Sequence, residues 1–274
     1  MAFKVVTYNI QYGIGLDGAY DLERIVDVVK DADVIALQEV TRGFMRNQGR
    51  DMVAEIEAML PDRFAVSHMP SDVDFGSSVA DGKAVQKRFQ FGNMILSRWP
   101  ILSARGHLLP RSMRTASLNL QRGALEALIE TPDGPFRFYS VHLDHIDPQE
   151  RISQILALKE IAFSAPHTGL AVTGLSEYGF PELPKAEDFI LLGDFNFEPD
   201  LAEYRDMLAE NGTLTDASAG DSSWSWTDPE NRDHVKRLDY GFATPGFAER
   251  VAGAHVDQSA EGSDHMPVWL HFGD

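Results

Sequence analysis

Strand-like segments outnumber helical ones by two to one in this sequence, and that ratio narrows the possible folds more than any other feature. Eight short runs rich in Val, Ile, Phe and Tyr have the length and composition of β-strands, whereas four stretches have helical apolar spacing. The predicted strands are Lys4–Ile10, Val34–Val40, Asn93–Trp99, Gly123–Thr131, Phe136–Asp144, Phe189–Asn196, Asp239–Thr244 and Pro267–Phe272. The predicted helices are Leu22–Lys30, Asp51–Leu60, Gln149–Phe163 and Leu201–Asn211.

The order of these segments argues against strict alternation of strand and helix. The two strands on either side of Asp133-Gly134 predict an antiparallel hairpin. Asp147 as N-cap and Pro148 in the first turn predict the start of the third helix. Asn211-Gly212 predicts the end of the fourth. We therefore expect sheets packed face to face with helices outside them, in one domain over residues 1–274.

Composition limits the kind of protein and the kind of metal site. No apolar run approaches the roughly 20 residues of a membrane helix, and no signal peptide is evident, so a cytoplasmic location is expected. The sequence has no cysteine. A metal would therefore be held by carboxylate, amide or imidazole groups, and oxygen-rich sets of that kind suit magnesium, manganese or calcium.

The net charge of −18, from 24 basic and 42 acidic residues, bears on the substrate. Nucleic-acid binders gain much of their affinity from basic surface, so this charge disfavours nucleic acid as a partner. A small phosphorylated substrate stays possible, because a bound cation reverses the local charge. The oligomeric state is not indicated by the sequence.

Two segments are predicted to be long connections without regular structure, at about Pro70–Gly92 and Pro166–Glu187. The first contains Lys83, Lys87 and Arg88. Loops of this length are often lids or specificity elements, and they are equally often plain surface insertions.

Polar residues stand at the ends of the predicted strands with unusual regularity. Since strand ends are rigid platforms, side chains from several of them can assemble one well-positioned site. The residues in question are Asn9, Glu39, His142, Asp194, Asn196, Asp239, Asp264 and His265.

These residue types match the needs of phosphate-ester hydrolysis, which requires a cation, a base for water and donors for developing charge. Glu39 is the best candidate metal ligand, with Asn9 and Asp264 beside it, and Asp194 is the best base. Taken singly, each residue has a plainer interpretation. Asn9 and Asn196 are common turn formers, and a histidine among apolar neighbours, such as His142, is more often a core residue.

Seven segments together resemble the endonuclease/exonuclease/phosphatase superfamily, in the order in which that family carries them. They are Thr7-Tyr8-Asn9-Ile10, Leu37-Gln38-Glu39-Val40, Gly92-Asn93-Met94-Ile95-Leu96-Ser97, Ser140-Val141-His142-Leu143, Leu192-Gly193-Asp194-Phe195-Asn196, Arg237-Leu238-Asp239-Tyr240 and Ser263-Asp264-His265-Met266-Pro267. They span almost the whole chain, and as a set they are highly specific.

The resemblance implies an α+β fold, a four-layer α/β sandwich with two packed mixed β-sheets flanked by helices. It also implies a phosphohydrolase dependent on Mg²⁺ or Mn²⁺. By position, Glu39, Asn9 and Asp264 are similar to the metal site, and Asp194 with Asn196 to the pair that activates water and orients the phosphate. Asp239 is similar to the residue that orients the catalytic histidine, here His265.

Other residues bear on the subgroup of this superfamily and on the substrate contacts. His142 in Val-His-Leu resembles the phosphatase, sphingomyelinase and deoxyribonuclease-like branches. Arg122 and Arg151 resemble positions of bacterial phosphodiesterase-like members, and together with Asn93 they are the expected substrate-binding residues. Arg122 is equally well interpreted as an edge-strand arginine. Trp224 and Trp226 are expected either to wall a small pocket or to lie in the core.

The sequence therefore predicts a phosphodiesterase or phosphatase acting on a small-molecule or lipid-head-group substrate by in-line attack of water. One alternative is a nuclease acting on DNA or RNA. Another is a catalytically silent binding module on the same fold. A lipid head-group esterase would need an apolar rim around the site, which is not evident from the sequence.

Overall fold

Two six-stranded mixed β-sheets lie at the centre of the structure, a computed structural model that describes residues 2–208 and 214–273. In chain order the strands are β1 (Phe3–Asn9), β2 (Val34–Arg42), β3 (Phe64–Asp74), β4 (Ser78–Ala80), β5 (Lys83–Val85), β6 (Arg88–Ser97), β7 (Ile101–Leu108), β8 (Gly123–Thr131), β9 (Gly134–His142), β10 (Phe189–Asp194), β11 (Thr215–Asp216), β12 (Trp226–Thr227), β13 (Val235–Lys236), β14 (Asp239–Ala243), β15 (Val251–Val256) and β16 (Val268–Phe272). The helices are α1 (Leu22–Val29), α2 (Met52–Met59), α3 (Pro148–Thr168), α4 (Ala202–Leu208) and α5 (Pro245–Ala248).

The first sheet has the order β15-β16-β1-β2-β6-β3 and the second the order β11-β14-β10-β9-β8-β7. Within them, β1 pairs with β2 and β9 with β10 in parallel, and the other neighbours are antiparallel. Each of the eight predicted strands overlaps an observed one, and β8 and β9 form the predicted hairpin. The expected α+β sandwich of two mixed sheets with flanking helices is confirmed.

Each sheet has apolar side chains on both faces, so it packs against the other sheet on one face and against helices on the other, which gives four layers. Successive strand residues point to opposite faces, so Val5 on β1 joins the apolar cluster between the two sheets while Val6 faces away from it. Val6 packs in a cluster with Ile25 of α1 and Ile56 of α2, which cover the first sheet. On the far face of the second sheet, α3 buries its Ile155 and Leu158 against residues of β9 and β10.

The helix predictions hold within the described residues. The Asp147 carboxylate accepts a hydrogen bond from the Gln149 amide at 2.9 Å, which confirms the predicted N-cap of α3. The helix continues to Thr168, beyond its predicted end at Phe163. The predicted end of the fourth helix, Asn211-Gly212, lies outside the described residues. In the part of the chain that the structure covers, no helix has both the length and the apolar character to cross a membrane.

The prediction of a structureless connection at Pro70–Gly92 is wrong. Strand β3 continues to Asp74 and pairs with β6, which begins at Arg88, and the short strands β4 and β5 pair with each other between them. We call Val73–Arg88 the arm. Its residues are exposed, so their sequence lacks the apolar alternation by which a half-buried strand is recognised. Residues 169–188, by contrast, follow the prediction and contain one short 3₁₀ turn, Leu175–Tyr178.

Many strands begin or end at one edge of the sandwich. Strands β1, β2, β9 and β10 end there, and their antiparallel neighbours β6, β8, β14 and β16 begin there. We call it the site edge, because the predicted functional residues lie along it.

Candidate active site

Asp194 lies at the centre of a cluster of polar side chains that comes from widely separated parts of the chain. Its Oδ2 accepts a hydrogen bond from Asn9 Nδ2 at 3.0 Å, across 185 positions of sequence. The same oxygen lies 3.4 Å from His142 Nε2 and 3.6 Å from His265 Nε2. Glu39 Oε1 lies 4.0 Å from His142 Nε2. The structure thus brings together side chains from the first strand to the last.

Asp239 holds His265 in a fixed orientation. Its Oδ2 lies 2.8 Å from His265 Nδ1 and also accepts a hydrogen bond from Ser225 Oγ at 2.8 Å. The other oxygen, Asp239 Oδ1, is buried and has no hydrogen-bond partner among the residues that the structure describes. Burial alone would lower the pKa of His265, but Asp239 and Asp194 raise it well above its ordinary value. His265 is therefore a cationic donor whose Nε2 points toward Asp194.

Excess negative charge accumulates among the carboxylates of this cluster. Burial, with the charge of Asp264, raises the pKa of Glu39 to about 7. Burial also raises the pKa of Asp194 to about 6, against the opposing effect of His265, and it raises the pKa of Asp264. Glu39 has 19% of its side chain exposed, whereas the Asp194 side chain has 2%. The acidic pocket therefore opens outward at Glu39.

A local backbone irregularity aims Glu39 into this pocket. In the pairing of β2 with β6, Gln38 is opposite Asn93 and Val40 is opposite Gly92, so Glu39 bulges out of the ladder. Its φ of 60° lies in the left-handed region, which is costly for a residue with a side chain. Bulges of this kind redirect a side chain and often stand next to active sites.

The turn after β10 fixes Asp194 from the other side. The Asn196 amide donates a hydrogen bond to Asp194 Oδ1 at 2.9 Å, and Asn196 Nδ2 donates to the Leu143 carbonyl at 3.1 Å. Gly193 before it has a φ of 153°, and a Cβ there would lie 1.9 Å from the Val141 carbonyl oxygen. In this Gly-Asp-Phe-Asn sequence, the glycine is thus required by the backbone geometry, and the Asp and Asn side chains form the hydrogen bonds of the turn.

Arg122 contributes a buried cation whose hydrogen-bonding neighbours are imidazoles. Its Nη1 lies 2.9 Å from His142 Nε2, and its Nη2 lies 2.9 Å from His145 Nδ1. Its Nε has no hydrogen-bond partner. Burial lowers the pKa of Arg122, and burial together with Arg122 lowers the pKa of His142 well below its ordinary value. His142 is therefore neutral, and Arg122 faces the acidic pocket without a hydrogen-bonded carboxylate.

Two of the expected substrate contacts have structural partners. Asn93 Nδ2 donates to the carbonyls of Gly123 and Ser140 at 3.0 and 2.8 Å, so it ties the first sheet to the second. Arg151 forms a buried ion pair with Glu203, with 2.7 Å between Nη2 and Oε1, and so joins α3 to α4. A role of Asn93 and Arg151 in substrate binding stays a prediction.

The sequence left the role of Trp226 open and did not single out His145 or Ser225. Trp226, expected as a pocket wall or core residue, donates its indole hydrogen to Asp264 Oδ2 at 3.2 Å. His145 approaches Arg122, and Ser225 supports Asp239. The His-x-x-His spacing after β9 could have indicated His145. Nothing in the sequence distinguishes Ser225 from other loop serines.

The donor set suits a divalent cation bound by oxygen. Asp194, Asp239 and His265 offer ligand atoms within 4.8 Å of one another. Hydrogen bonding already links His265 Nδ1 to Asp239, so this trio is better described as a hydrogen-bonded unit than as a complete ligand set. Burial raises the pKa of Glu39, and Asp239 Oδ1 has no hydrogen-bond partner among the described residues, so a bound cation would favour the ionised carboxylates. Carboxylate and amide oxygens suit Mg²⁺ or Mn²⁺.

Comparisons with known proteins assign this chain to a protein family. Residues 6–265 match the profile of the Endonuclease/Exonuclease/phosphatase family. The chain belongs to this family, whose members are phosphoester hydrolases that typically use divalent metals. The resemblance inferred from the seven motifs is thereby confirmed. The comparison with curated protein sequences gave no match.

Several solved structures share the fold at low sequence identity. An endonuclease/exonuclease/phosphatase from Beutenbergia cavernae aligns with 98% of this chain and 71% of its own, at 20% identity and a TM-score of 0.67. A mannosyl-6-phosphatase from Bacteroides thetaiotaomicron aligns over 99% and 100%, at 20% identity and a TM-score of 0.64. A 3′ phosphatase from Neisseria, bound to a product DNA hairpin, aligns over 99% and 100%, at 18% identity and a TM-score of 0.63. These likenesses establish the fold and leave the substrate open.

Proposed function

We propose that this protein, as a single catalytic unit, is a phosphodiesterase or phosphatase that uses a divalent metal to hydrolyse a small-molecule or lipid-head-group phosphate ester. The observation that carries the proposal is the convergence of Asn9, His142 and His265 on Asp194, with Glu39 at the outer side. A chain that kept only the fold for binding would have no need to preserve a base, a fixed imidazole and an acidic pocket together.

Glu39, Asn9 and Asp264 are the residues that would hold Mg²⁺ or Mn²⁺. Glu39 lies at the outer side of the pocket. Asp264 accepts a hydrogen bond from the Trp226 indole, and Asn9 donates one to Asp194. The cation would neutralise phosphoryl oxygens and make water more acidic.

Asp194 is the proposed base for the attacking water. Both of its oxygens are held by hydrogen bonds, from Asn9 and from the Asn196 amide, so the carboxylate is fixed in place. A carboxylate that is buried and has a pKa of about 6 is a stronger base than an exposed one and is still mostly ionised at neutral pH. Asp194 accepts a proton from the water as the water oxygen bonds to phosphorus, and the bond from phosphorus to the leaving alcohol breaks as the alcohol oxygen takes up a proton from solvent.

Positive and hydrogen-bonding groups on the opposite side would stabilise the charged phosphoryl group. His265, oriented by Asp239, presents Nε2 toward the pocket, and His142 presents a neutral imidazole. Arg122 supplies a guanidinium whose present neighbours are imidazole nitrogens. Donors already in place where negative charge develops lower the barrier, because they need no reorganisation during the reaction.

A nuclease remains the second candidate, because one structural neighbour is a 3′ phosphatase bound to DNA. The net charge of −18 favours the small-molecule or head-group substrate. The two candidates differ in salt dependence, which is steep for a nucleic-acid substrate and shallow for a small ester.

A substrate panel tests the proposed function. Phosphomonoesters, phosphodiesters, choline phospholipids and oligonucleotides would be assayed with Mg²⁺, with Mn²⁺ and with a chelator. We expect metal-dependent turnover that falls by at least about a hundredfold in each of Glu39→Ala, Asp194→Ala and His265→Ala. Glu130→Ala, at an exposed position on β8, is the matched control. Near-wild-type turnover in any of the three variants, or turnover that persists in chelator, would contradict the assignment.

A further inference from the structure

Exposed apolar side chains are present in three segments of the chain that begin or end at the site edge. The arm carries Val79, which is 76% exposed, and the connection between β7 and β8 carries Met113 and Leu118, which are 90% and 69% exposed. Met45, just beyond β2, is 63% exposed. Each of these segments starts or ends at the site edge, because β2 and β3 finish there and β6 and β8 begin there. We call the segments Val40–Arg50, Val73–Arg88 and Leu108–Arg122 together the rim.

Charge is segregated in the same segments. The rim contains nine of the 24 basic residues and only two of the 42 acidic ones, Asp74 and Asp81. The rest of the chain contains 15 basic and 40 acidic residues. Five of the nine basic residues pair with acidic side chains outside the rim or lie buried at the active site, namely Arg42, Arg50, Arg88, Arg114 and Arg122. The exposed cationic groups of the rim are therefore Arg46, Lys83, Lys87 and Arg111. Among the described residues, neither Lys83 nor Lys87 of the arm lies in an ion pair.

The rim is connected to the catalytic cluster by packed aromatic rings. Phe75 in the arm contacts Phe89 on β6 with ring centroids 6.1 Å apart, and Phe89 stacks on Phe44 at 4.8 Å. Phe91, two positions further along β6, lies 5.9 Å from the ring of His142. At the base of the arm, Ser71 Oγ donates to the Gln121 carbonyl at 3.1 Å, which joins β3 to the connection between β7 and β8. Aromatic side chains of the arm and of β6 thus lie between the outside of the rim and His142.

We propose that the rim docks on an anionic phospholipid bilayer and presents a lipid head-group phosphate ester to the pocket. Exposed apolar side chains with cationic neighbours are the combination that binds a membrane interface without crossing it. Charge complementarity identifies the occupant, since an anionic surface would be repelled by the acidic remainder of the molecule and attracted by Arg46, Lys83, Lys87 and Arg111 of the rim. The substrate part of this proposal rests on the proposed function.

The apolar component distinguishes a bilayer from a nucleic acid. A surface built for a phosphate backbone gains its affinity from cations and from bases stacked on aromatic rings. Val79, Met113, Leu118 and Met45 offer exposed aliphatic surface, which a polyanion does not use. A bilayer uses both the aliphatic and the cationic groups.

The test is sedimentation of the whole protein with two kinds of vesicle, phosphatidylcholine alone and an equal mixture with phosphatidylglycerol. The key variant combines Val79→Ser, Met113→Ser and Leu118→Ser, which change exposed side chains outside the catalytic cluster. Its matched control combines Leu156→Ser, Tyr178→Ser and Phe180→Ser, which are comparably exposed but lie on α3 and in residues 169–188. A third variant, Lys83→Gln with Lys87→Gln, tests the charge alone.

We expect the wild type and the control to bind the anionic vesicles, and the rim variant to bind at least tenfold more weakly. All should hydrolyse a water-soluble phosphodiester at the same rate. The lysine variant should weaken binding to the anionic vesicles alone. Docking would be overturned by a wild type that fails to sediment, by equal losses in rim variant and control, or by binding of oligonucleotide but not vesicles. If the wild type binds vesicles but hydrolyses neither soluble ester nor phospholipid, docking stands and the proposed function fails.

Discussion

Single side chains in this protein act mainly through the groups that hold them. Asp194 is fixed by Asn9 and the Asn196 amide, and His265 by Asp239, which is in turn supported by Ser225. The sequence allowed Asp194 and Glu39 to be proposed because each follows an apolar strand-like run, and His265 because it stands just before one. It did not identify Ser225, and it left Trp226 as either a pocket wall or a core residue, because their roles depend on contacts between distant segments that leave no local pattern.

The first prediction concerns the hydrogen bond that orients His265. Asp239→Asn should lower kcat by about two to four orders of magnitude with little change in KM, because an amide in this position no longer fixes the imidazole or stabilises its charge. Steady-state kinetics on a soluble ester measure this. Ser225→Ala, which removes one hydrogen bond from the same carboxylate, should cost far less, about 1 kcal/mol of barrier. An unchanged kcat in Asp239→Asn would mean that His265 needs no such partner.

A second prediction concerns stability and pH at Glu126, a buried carboxylate away from the site. It accepts hydrogen bonds from Arg105 at 2.8 Å and lies 2.7 Å from His107 Nε2. Burial would raise its pKa, but His107 and Arg105 lower it below the ordinary value. The stabilisation is therefore fully present above the unfolded-state pKa of about 4.3 and is lost as the pH falls through the lower folded value.

Glu126→Gln should thus reduce the free energy of unfolding by on the order of 3 kcal/mol at pH 7, because it leaves the partly buried Arg105 without its ionised partner. The difference from wild type should stay constant down to about pH 5 and shrink below about pH 4. Urea unfolding across this pH range measures it. Glu130→Gln, four positions along the same strand and exposed, is the control and should change little. A difference that is independent of pH would show that packing, and not the charge, is responsible.

At the level of strands and turns, the sequence predicted what is buried and missed what is exposed. All eight predicted strands carry apolar residues of the sheet interfaces, whereas β3, β7, β11 and β15 of the two large sheets were missed. These four lie at sheet edges and are only partly buried, so selection for apolar alternation is weak in them. The arm was missed for the same reason, although its ends are fixed by pairing between β3 and β6.

A third prediction concerns the turn that carries Asp194. Gly193→Ala should reduce the free energy of unfolding by about 3 kcal/mol or more, because the new Cβ would lie 1.9 Å from the Val141 carbonyl oxygen at a φ that disfavours a side chain. Urea denaturation measures the change. In Gly253→Ala on β15 the added methyl group would meet no atom within 4 Å, so this control should change stability by no more than about 1 kcal/mol. Equal effects of the two substitutions would refute the steric argument.

For the molecule as a whole, the sequence predicted the sandwich but not the distribution of its charge. The net charge of −18 argued against a polyanionic partner, yet it is the sum of a rim with more basic than acidic residues and a strongly acidic remainder. Their arrangement depends on which connections lie at the site edge, and this follows from the order of strands in both sheets. The order is set by long-range pairing, such as β1 with β16, that local patterns do not encode.

The proposed chemistry depends on one divalent ion bound at the outer side of the Asp194 cluster. Diffraction from crystals of the wild-type protein grown with Mn²⁺, recorded at the manganese absorption edge, locates that ion directly. We expect one anomalous peak within coordination distance of Glu39, with Asn9 and Asp264 beside it, and no such peak in Glu39→Ala crystals. An ion bound elsewhere, or no ion between Glu39 and His265 in the wild type, would contradict the account.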